Sequence, residues 1–314
     1  MQFPYKKALV TGGTGFIGSH LCEALINKGV QVICVDNNIG GKTENIAHLT
    51  SRPGFTLALC DVTDFASLKP LFKGVDIVFH NAASKKTICM NDPRKDLDIN
   101  AKGTFNLLEL SRDTGVKKFV HASTGSVYGE ATQFPQTEEH PLNPTSYYGV
   151  SKLAGEKYVR VFNHLYGLDT TVLRYFHVYG TRQESADEKG GVIAIFSRRL
   201  LEGKNPIVSG DGTQQRSFTW VGDVVEANLF VAAHPKTKGE VYNCASGINV
   251  TVLEMAKRLV DLLNPKAVIE FGPPTPGDIK RFEIDNSKLT SLGFRFRTSF
   301  EEGLRTTIEY YKSK

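Results

Sequence analysis

Two side chains that can move protons stand four residues apart, Tyr148 and Lys152, in the segment YGVSK. Residues at this spacing share one face of a helix. A free tyrosine has a pKa of about 10, so it acts as a base near neutrality only beside a positive charge, which Lys152 can supply. The same spacing also fits an ordinary surface pair, so the rest of the chain must decide between the two interpretations.

Hydroxyl side chains lie upstream of this pair, at Ser123, Thr124 and Ser126. They follow the apolar run Phe119–Ala122, which we interpret as a strand, and parallel sheets bind ligands beyond the carboxyl ends of their strands. A hydroxyl there can hydrogen-bond a reacting oxygen and relay its proton to Tyr148. Ser123 or Ser126 could equally cap the backbone.

A glycine-rich segment, TGGTGFIG, follows the first apolar run near the amino terminus. Gly12 permits a tight turn, Gly15 lets the backbone approach a pyrophosphate, and Gly18 lets a helix lie close to the strand. The amino terminus of that helix offers free N–H groups and a positive dipole to the anion. Since an apolar run precedes the segment and a helical pattern follows it, we predict a dinucleotide site rather than a simple turn.

A carboxylate ends the second apolar run, at Asp36. In this place it accepts hydrogen bonds from ribose hydroxyls and repels a 2′-phosphate, which favours NAD over NADP. Asn37, which follows, adds no positive charge. Asp61 and Val62 end the third run, where Asp61 could meet the adenine or simply cap a helix.

Short apolar runs alternate with helical patterns through the first half of the chain, which predicts an α/β fold with a doubly wound parallel (Rossmann) sheet. We expect strands at Ala8–Val10, Val32–Val35, Thr56–Cys60, Ile77–His80, Phe119–Ala122 and Thr171–Arg174. Between them we expect helices from near Phe16, Thr43, Asp64, Pro93 and Tyr147. We predict an NAD-binding domain over 1–175, with 221–247 packing back on it, and a smaller mixed α/β substrate-binding lobe over 176–314. Helices in this part are expected at Gly191–Glu202, Val221–Ala233, Val252–Leu263, Ser287–Leu292 and Phe300–Tyr311.

Composition sets outer limits on function. The 314 residues carry a net charge of +5 with no long run of like charges, which argues against nucleic acid as a partner and suits a small anionic ligand. The five cysteines are odd in number and lack C-x-x-C spacing, so we interpret them as reduced, buried thiols. We expect no membrane segment and no signal peptide, and a cytoplasmic protein.

In these motifs the chain resembles the extended short-chain dehydrogenase/reductase family, in its nucleotide-sugar epimerase branch. The resemblance runs nearly end to end, through TGGTGFIG, HNAA, DPRKDLDINAKGT, STGSVYG, YGVSK, LRYFHVYG, GDGTQQRSFTWVGDV and PGDIKRFEID. It implies NAD as a tightly held cofactor and a homodimer joined through two helices, 93–114 and 147–166. Asn100 would support the active-site backbone, and Lys85 would lie near the nicotinamide ribose.

The resemblance also implies a mechanism and a set of site residues. Tyr148 takes the proton of the sugar 4-hydroxyl, the C4 hydride passes to NAD, and the 4-keto sugar turns over and is reduced on its other face. Thr124 would bridge sugar and tyrosine, so the implied catalytic residues are Tyr148, Lys152 and Thr124. The implied cofactor contacts are Gly12, Gly15, Phe16, Ile17, Gly18, Asp36, Asn37, Asp61, Val62, Ala82, Lys85, Asn100, Tyr148, Lys152 and Tyr175. The implied substrate contacts are Lys85, Thr124, Ser126, Tyr148, His177, Arg216, Arg281 and Phe282.

The loop before Val127 discriminates among branches of the family. Related 4,6-dehydratases have Asp-Glu there and decarboxylases have Glu, whereas this chain has Gly125 and Ser126. This favours a 4-epimerase of a nucleotide sugar, with a UDP-hexose preferred. A 4-dehydrogenase or a 4,6-dehydratase is the alternative, and a non-catalytic NAD-binding regulatory protein is the alternative of another class.

The substrate half departs from the family pattern at two positions that usually meet the diphosphate. His177 stands where Asn is usual, and Thr275 stands where Arg is frequent. Arg216 is retained and can bind a phosphate as a fork, and Lys280 or Arg281 could replace the missing charge. His177 could instead be a packed histidine. Phe282, at the position that gates sugar size in the family, favours an unsubstituted hexose.

Overall fold

The computed structural model describes residues 3–84, 86–184, 190–274, 280–281 and 283–314, without the side chains of 86–88. Its first six strands follow the apolar runs of the sequence to within two residues at each end. The strands are β1 (Lys7–Thr11), β2 (Gln31–Asp36), β3 (Phe55–Leu59), β4 (Ile77–His80), β5 (Lys118–Thr124), β6 (Thr170–Tyr175), β7 (Val178–Tyr179), β8 (Ile207–Ser209), β9 (Gln215–Ser217), β10 (Thr219–Trp220), β11 (Glu240–Cys244), β12 (Asn249–Thr251) and β13 (Glu270–Gly272).

One seven-stranded sheet has the order β11-β6-β5-β4-β1-β2-β3. Strands β1 to β6 pair in parallel, with β1 between β2 and β4. The chain winds outward from β1 to β3 in one direction and from β4 to β6 in the other. The predicted doubly wound α/β fold is therefore confirmed, and its strand order reverses between β1 and β4, where such sheets bind dinucleotides.

The helices connect the strands of the sheet and continue through the second half. They are α1 (Phe16–Asn27), α2 (Phe65–Leu68), α3 (Lys86–Asn91), α4 (Pro93–Leu97), α5 (Gly103–Thr114), α6 (Tyr147–Tyr166), α7 (Val192–Leu201), α8 (Val221–Ala233), α9 (Val252–Leu263), α10 (Ser287–Ser291) and α11 (Phe300–Lys312). None of the helices in the described part of the chain has both the length and the apolar character needed to cross a bilayer.

Two helical predictions were wrong in detail. The segment Thr43–Leu49 is a 3-10 helix, tied to the phosphate loop by the amide side chain of Asn45, which donates to the carbonyl of Thr14 at 2.9 Å. The helix expected over 93–114 is divided by a π-helical turn, Asp98–Lys102, which carries the buried Asn100. Such turns are frequent at functional sites, and this one directs an amide side chain inward.

The first of two compact units comprises Met1–Gly129, Pro141–Tyr175 and Val224–Tyr242. Its apolar core packs helices against the sheet and includes Leu9, Val78, Leu107, Phe119 and Val159. Strand β11 lies beside β6 at the edge of the sheet. This unit contains the glycine-rich loop and the Tyr148–Lys152 pair.

The second unit comprises Glu130–His140, Phe176–Asp223 and Asn243–Lys314. Short strand pairs and the helices α7, α9 and α11 surround an aromatic cluster in which the ring of Phe218 lies 5.9 Å from Tyr179 and 5.3 Å from Phe300. Residues 130–140 belong to this unit although their neighbours on both sides belong to the first, because Gln136 forms a parallel bridge with Ile284.

Candidate active site

The glycine-rich loop, Gly12–Gly18, forms a concave backbone surface at the carboxyl end of β1, which we call the phosphate cradle. Gly12 has a left-handed backbone (φ 67°), and its N–H donates to the carbonyl of Val35 at 2.9 Å. A Cβ on Gly18 would lie 2.1 Å from the carbonyl oxygen of Gly12, and one on Gly12 would lie 2.8 Å from the amide nitrogen of Ala82. Helix α1 begins at Phe16, after Gly15. The loop is thus open to a pyrophosphate at a helix amino terminus, as the sequence predicts.

The end of β2 supplies the acidic group at one end of the cavity. Asp36 is buried, and its carboxylate accepts hydrogen bonds from the backbone N–H groups of Thr14 and Asn38. The side chain of Asn37 donates to Asp61 at 2.7 Å. Asp61 does not cap helix α2, since the cap is Asp64, but it accepts hydrogen bonds from the backbone and side chain of Thr63. It lines the cavity and stays a predicted cofactor contact.

Hydrogen bonds hold the carboxylate of Asp61 in its ionised form. Burial raises its pKa, but hydrogen bonds from Thr63 and Asn37 outweigh burial and lower it below the usual value. A charged acceptor is therefore present at the adenosine end of the cavity.

These residues line one cavity of about 390 Å³, within the range expected for a small-molecule site. The predicted cofactor residues in its lining are Gly12, Gly15, Phe16, Ile17, Gly18, Asp36, Asn37, Asp61, Val62, Ala82, Tyr148, Lys152 and Tyr175. The hydroxyl of Tyr175 lies 3.0 Å from the amide oxygen of Asn228, which holds it against the wall.

Tyr148 and Lys152 line this cavity, and Thr124 lies next to Tyr148. Ser146 caps the amino terminus of α6, so Tyr148 lies in the first turn and Lys152 one turn later. The hydroxyl of half-buried Tyr148 is hydrogen-bonded to Thr124. Thr124 also donates to the hydroxyl of Ser126 and accepts from its backbone N–H, each at 3.2 Å. The predicted tyrosine–hydroxyl contact is therefore present.

Burial controls the protonation of both ionisable groups. It raises the pKa of Tyr148 to about 12, with further increases from the charges of Asp96 and Cys89, while the hydrogen bond between Tyr148 and Thr124 lowers it. Burial lowers the pKa of Lys152 to about 8, against the opposing charges of Glu156 and Asp96. The protein alone therefore does not lower the pKa of Tyr148, and a lowered value needs additional positive charge beside the phenol.

Asn100 is placed differently from its predicted role as a cofactor contact. It is fully buried outside the cavity lining, and its side chain accepts from the N–H of Ser84 and donates to Asp96 and Ser151. Ser151 in turn donates to the carbonyl of Tyr148 at 3.1 Å. Asn100 thus joins the cavity wall at Ser84 to the first turn of α6, which is the backbone support that the family resemblance implies.

Several cavity residues were missed by sequence reasoning. They are Val35, Ile39, Gly40, Gly41, Cys60, Asn81, Ala83, Ser84, Ile99 and Ala122, while Ser123, already a candidate hydroxyl, also lines the cavity. Gly41 could have been recognised in the sequence, because the pair Gly40-Gly41 follows Asp36 closely. In the structure, a Cβ on Gly41 would lie 1.9 Å from the hydroxyl of Thr14. The remaining residues carry no signal in the sequence, because only the folded sheet brings them to the cavity.

The second unit holds the other described candidates for substrate contact. The half-buried ring of His177 packs edge-on against Phe218. Burial, and then the charge of Arg216, lowers the pKa of His177 to about 3, so the imidazole is neutral at physiological pH. Arg216 donates to the carbonyl of Gln215 at 2.7 Å.

Arg281 is already engaged within this unit. It is exposed, pairs with Glu283 and lies 4.3 Å above the ring of Phe134. Lys85, Thr275 and Phe282 lie outside the described residues.

A doubly wound sheet with a glycine cradle, an acidic residue at the end of β2, and a tyrosine and lysine at the cavity wall beside a threonine defines a dinucleotide-binding protein of the short-chain dehydrogenase/reductase type. The chain belongs to the NAD dependent epimerase/dehydratase family, whose model matches residues 8–245. NAD is the cofactor of this family, and the cradle and Asp36 fit it.

Known proteins similar to this chain extend over nearly its full length. The UDP-glucose 4-epimerase of Mycolicibacterium smegmatis is 35% identical over 320 residues, covering 98% of this chain and 99% of the relative. The crystal structure of a Thermotoga maritima UDP-glucose 4-epimerase with UDP-glucose superposes with a TM-score of 0.92 at 38% identity, covering 98% and 99% of the two chains. The crystal structure of a Thermus thermophilus UDP-glucose 4-epimerase complex with NAD superposes with a TM-score of 0.87 at 35% identity, covering 98% of this chain and 99% of the other.

Proposed function

We propose that this protein is a UDP-hexose 4-epimerase that works through a transient 4-keto sugar. The observation that carries the proposal is the hydrogen bond between Tyr148 and Thr124 at the wall of the dinucleotide cavity, with Lys152 one helical turn away. A phenol and an aliphatic hydroxyl in contact can share one sugar hydroxyl between them. The relatives named as UDP-glucose 4-epimerases support the same substrate class.

Three side chains of this protein, Tyr148, Thr124 and Lys152, take part in the transfer of one proton. Tyr148, as phenolate, takes the proton of the sugar 4-hydroxyl and later returns it to the 4-oxygen of the opposite epimer. Thr124 holds that oxygen against the phenol, and Lys152 stabilises the negative charge on Tyr148. The cavity lined by Gly12, Gly15 and Asp36 would hold NAD, which would supply hydride transfer at C4. Its pyridinium charge would favour the Tyr148 phenolate, which burial in the protein alone disfavours.

The short loop after β5 supports epimerisation over the alternatives. Dehydration and decarboxylation in the related branches use a carboxylate immediately before the Val-Tyr-Gly segment, where this chain has Gly125 and Ser126. Ser126 is exposed and carries only a hydroxyl. A 4-dehydrogenase, which would release the keto sugar, uses the same residues and is separated from an epimerase by its product.

For the rest of the substrate we propose a division of labour along the chain. Residues up to 175, with 221–247, would bind NAD, and residues 176–314 would bind the nucleotide diphosphate. Arg216 is the candidate phosphate ligand, because its guanidinium can form a bidentate contact. His177 would contribute hydrogen bonds but no charge, given its low pKa. Arg281, Lys85, Ser126 and Phe282 remain predicted substrate contacts.

We also propose a homodimer that forms through α5 and α6. Apolar side chains at Val150, Tyr158, Val161 and Leu165 remain exposed along one side of α6, with Leu165 62% exposed. Phe105 on α5 extends this surface, its ring 5.3 Å from that of Tyr158. A contiguous apolar strip on a helix pair is typical of a subunit interface.

A cytoplasmic location is the setting we propose for this enzyme. The five cysteines, all among the described residues, are thiols outside any disulfide, and four of them are buried. Free thiols suit a reducing compartment. Small anionic metabolites, not nucleic acid or membrane, are the partners that fit.

A panel of nucleotide sugars tests the proposed activity. Purified protein with added NAD is incubated with UDP-, GDP-, CDP- and TDP-hexoses, the products are followed by NMR, and absorbance is recorded at the NADH wavelength. We expect interconversion of UDP-glucose and UDP-galactose without net NADH. Stable NADH with a keto product would identify a dehydrogenase, a 4-keto-6-deoxy product a dehydratase, and no change with any sugar a non-catalytic protein.

A further inference from the structure

A buried ion pair joins three elements behind the catalytic residues. The guanidinium of Arg174 in β6 contacts both carboxylate oxygens of Glu156 in α6, at 2.5 Å (Nη2 to Oε1) and 3.1 Å (Nε to Oε2). Both residues are almost fully buried, Glu156 at 0% and Arg174 at 2% exposure. Burying two charges is costly unless their geometry and remaining hydrogen bonds are good, so the further contacts of this pair matter.

Each further contact falls at one end of the short loop that carries Thr124 and Ser126. Glu156 accepts from the hydroxyl of Ser123 at 3.0 Å, and Ser123 immediately precedes Thr124. The third nitrogen of Arg174 donates to the hydroxyl of Tyr128 at 2.7 Å, and its guanidinium lies 4.7 Å above the Tyr128 ring. Tyr128 follows directly on the short 3-10 helix Gly125–Val127.

The pair therefore forms hydrogen bonds to both ends of the loop that carries Thr124 and Ser126. Glu156 also attaches the pair to α6, where it lies one turn beyond Lys152 and two turns beyond Tyr148 on the same face of the helix. A fixed link between the loop and α6 sets the separation of Thr124 from Tyr148. Lys could not replace Arg174 here, since a single ammonium cannot reach Glu156 and Tyr128 in a planar fork.

We propose that Arg174 and Glu156 are positioning residues, which lock the loop of Thr124 onto helix α6 so that the Thr124 and Tyr148 hydroxyls meet the same sugar oxygen. The inference rests on the proposed epimerase function. It differs from a purely structural role because it assigns the pair to the rate of reaction, not to substrate or cofactor affinity.

The chain offers a control in a second ion pair of the same unit, in which the lysine is buried and the aspartate, Asp169, is 32% exposed. Lys118, 1% exposed, begins β5 and pairs with Asp169 at 2.6 Å, at the amino end of the strand whose carboxyl end carries Thr124. Removing this pair should perturb the fold to a similar degree but leave the loop at residues 123–128 in place.

The test compares three variants with the wild type: Glu156→Gln/Arg174→Met, which removes both charges together, Tyr128→Phe, and the control Lys118→Met/Asp169→Asn. We expect the first to lower kcat for UDP-glucose epimerisation by about 10- to 100-fold, with KM and bound NAD nearly unchanged, because small misplacements of reacting groups cost about this much. Tyr128→Phe should lower kcat several-fold, and the control should leave it unchanged. Hydrogen exchange at residues 123–129 should accelerate in the first two only.

Wild-type kcat and exchange in a folded Glu156→Gln/Arg174→Met protein would overturn the inference, as would an equal loss in the control. If the double variant does not fold, Tyr128→Phe decides by the same two measurements. A wild type that does not epimerise would remove the proposed function but not the inferred link, which the exchange measurement tests without turnover.

Discussion

The carboxylate of Asp36 accepts a hydrogen bond from the backbone N–H of Thr14, with 3.0 Å between the Thr14 nitrogen and Oδ2. This contact ties the end of β2 to the glycine-rich loop that follows β1. The other carboxylate oxygen of Asp36 accepts a hydrogen bond from the backbone N–H of Asn38 at 2.8 Å. One buried carboxylate thus shapes the phosphate cradle and presents negative charge to the adenosine end of the cavity.

Asp36→Ala should weaken NAD binding by about tenfold or more, since hydrogen bonds to a charged group contribute about 1.5–3 kcal/mol. It should also reduce the preference for NAD over NADP, because the charge that repels a 2′-phosphate is gone. Dissociation constants for both cofactors measure this. Asp64→Ala, which removes only the exposed cap of α2, serves as the control. Tighter NADP than NAD binding by the wild type would show that the role of Asp36 has been misassigned.

Tyr148→Phe should lower turnover by about 10²- to 10⁴-fold, because it removes the acid–base group while keeping the ring. NAD content, read from the absorbance of the denatured protein, and the melting temperature should hardly change. Tyr147→Phe makes a matched control, since the neighbouring phenol is 59% exposed and outside the cavity. Near-normal turnover in Tyr148→Phe would remove this tyrosine from the mechanism.

The pH profile of kcat/KM should rise about tenfold per unit and level off near pH 8. The active form carries the Lys152 ammonium and the Tyr148 phenolate. Below the lysine pKa of about 8, reaching it requires loss of one proton, so activity rises with pH. The tyrosine pKa is about 12 in the protein without NAD and is lower beside the pyridinium charge. Between the lysine pKa and this tyrosine pKa, the prevailing form has already lost that proton from Lys152, so the active fraction stays constant.

Lys152→Arg separates the two groups, because a guanidinium keeps its proton throughout this range. The variant should be less active, yet its kcat/KM should continue to rise beyond pH 8. A wild-type profile that is flat between pH 6 and 8 would contradict the assignment of the titrating pair.

The parallel sheet and its cradle could be predicted because their signals are local. Each strand from β1 to β6 is a short apolar run, and Gly15 and Gly18 are required by close contacts with the nearby carbonyl oxygen of Gly12. The placement of residues 130–140 could not be predicted, since it depends on a bridge between Gln136 and Ile284, far apart in the chain. The π-helical turn at Asn100 likewise depends on partners, Ser84 and Ser151, that no spacing rule connects.

The proposed catalytic residues can be named from the sequence, but their ionisation cannot. Tyr148 and Lys152 follow from their spacing on α6, and Thr124 follows from the family resemblance. The raised pKa of Tyr148 depends on burial and on the nearby charge of Asp96, which only the folded chain brings together. The Glu156–Arg174 pair shows the same limit, because its members lie on α6 and β6 and meet only in the packed structure.

Leu165→Asp should convert the proposed dimer into monomers, because a carboxylate in the centre of an apolar interface would be buried without a partner. Size-exclusion chromatography with light scattering measures the mass against the 34.6 kDa of one chain. Val268→Asp, an equally exposed apolar position in the second unit, should leave the mass unchanged. A wild-type protein that elutes as a monomer at micromolar concentration would contradict the proposed interface.

The fate of the hydrogen on C4 tests the epimerase mechanism most directly. UDP-glucose carrying deuterium at C4 is incubated with the protein in ordinary water, and the UDP-galactose formed is analysed by NMR and mass spectrometry. A hydride that leaves C4 and returns within the closed site predicts full retention of deuterium at C4 of the product. Replacement of the deuterium by solvent hydrogen would contradict the transient 4-keto pathway and the role assigned to Tyr148 in it.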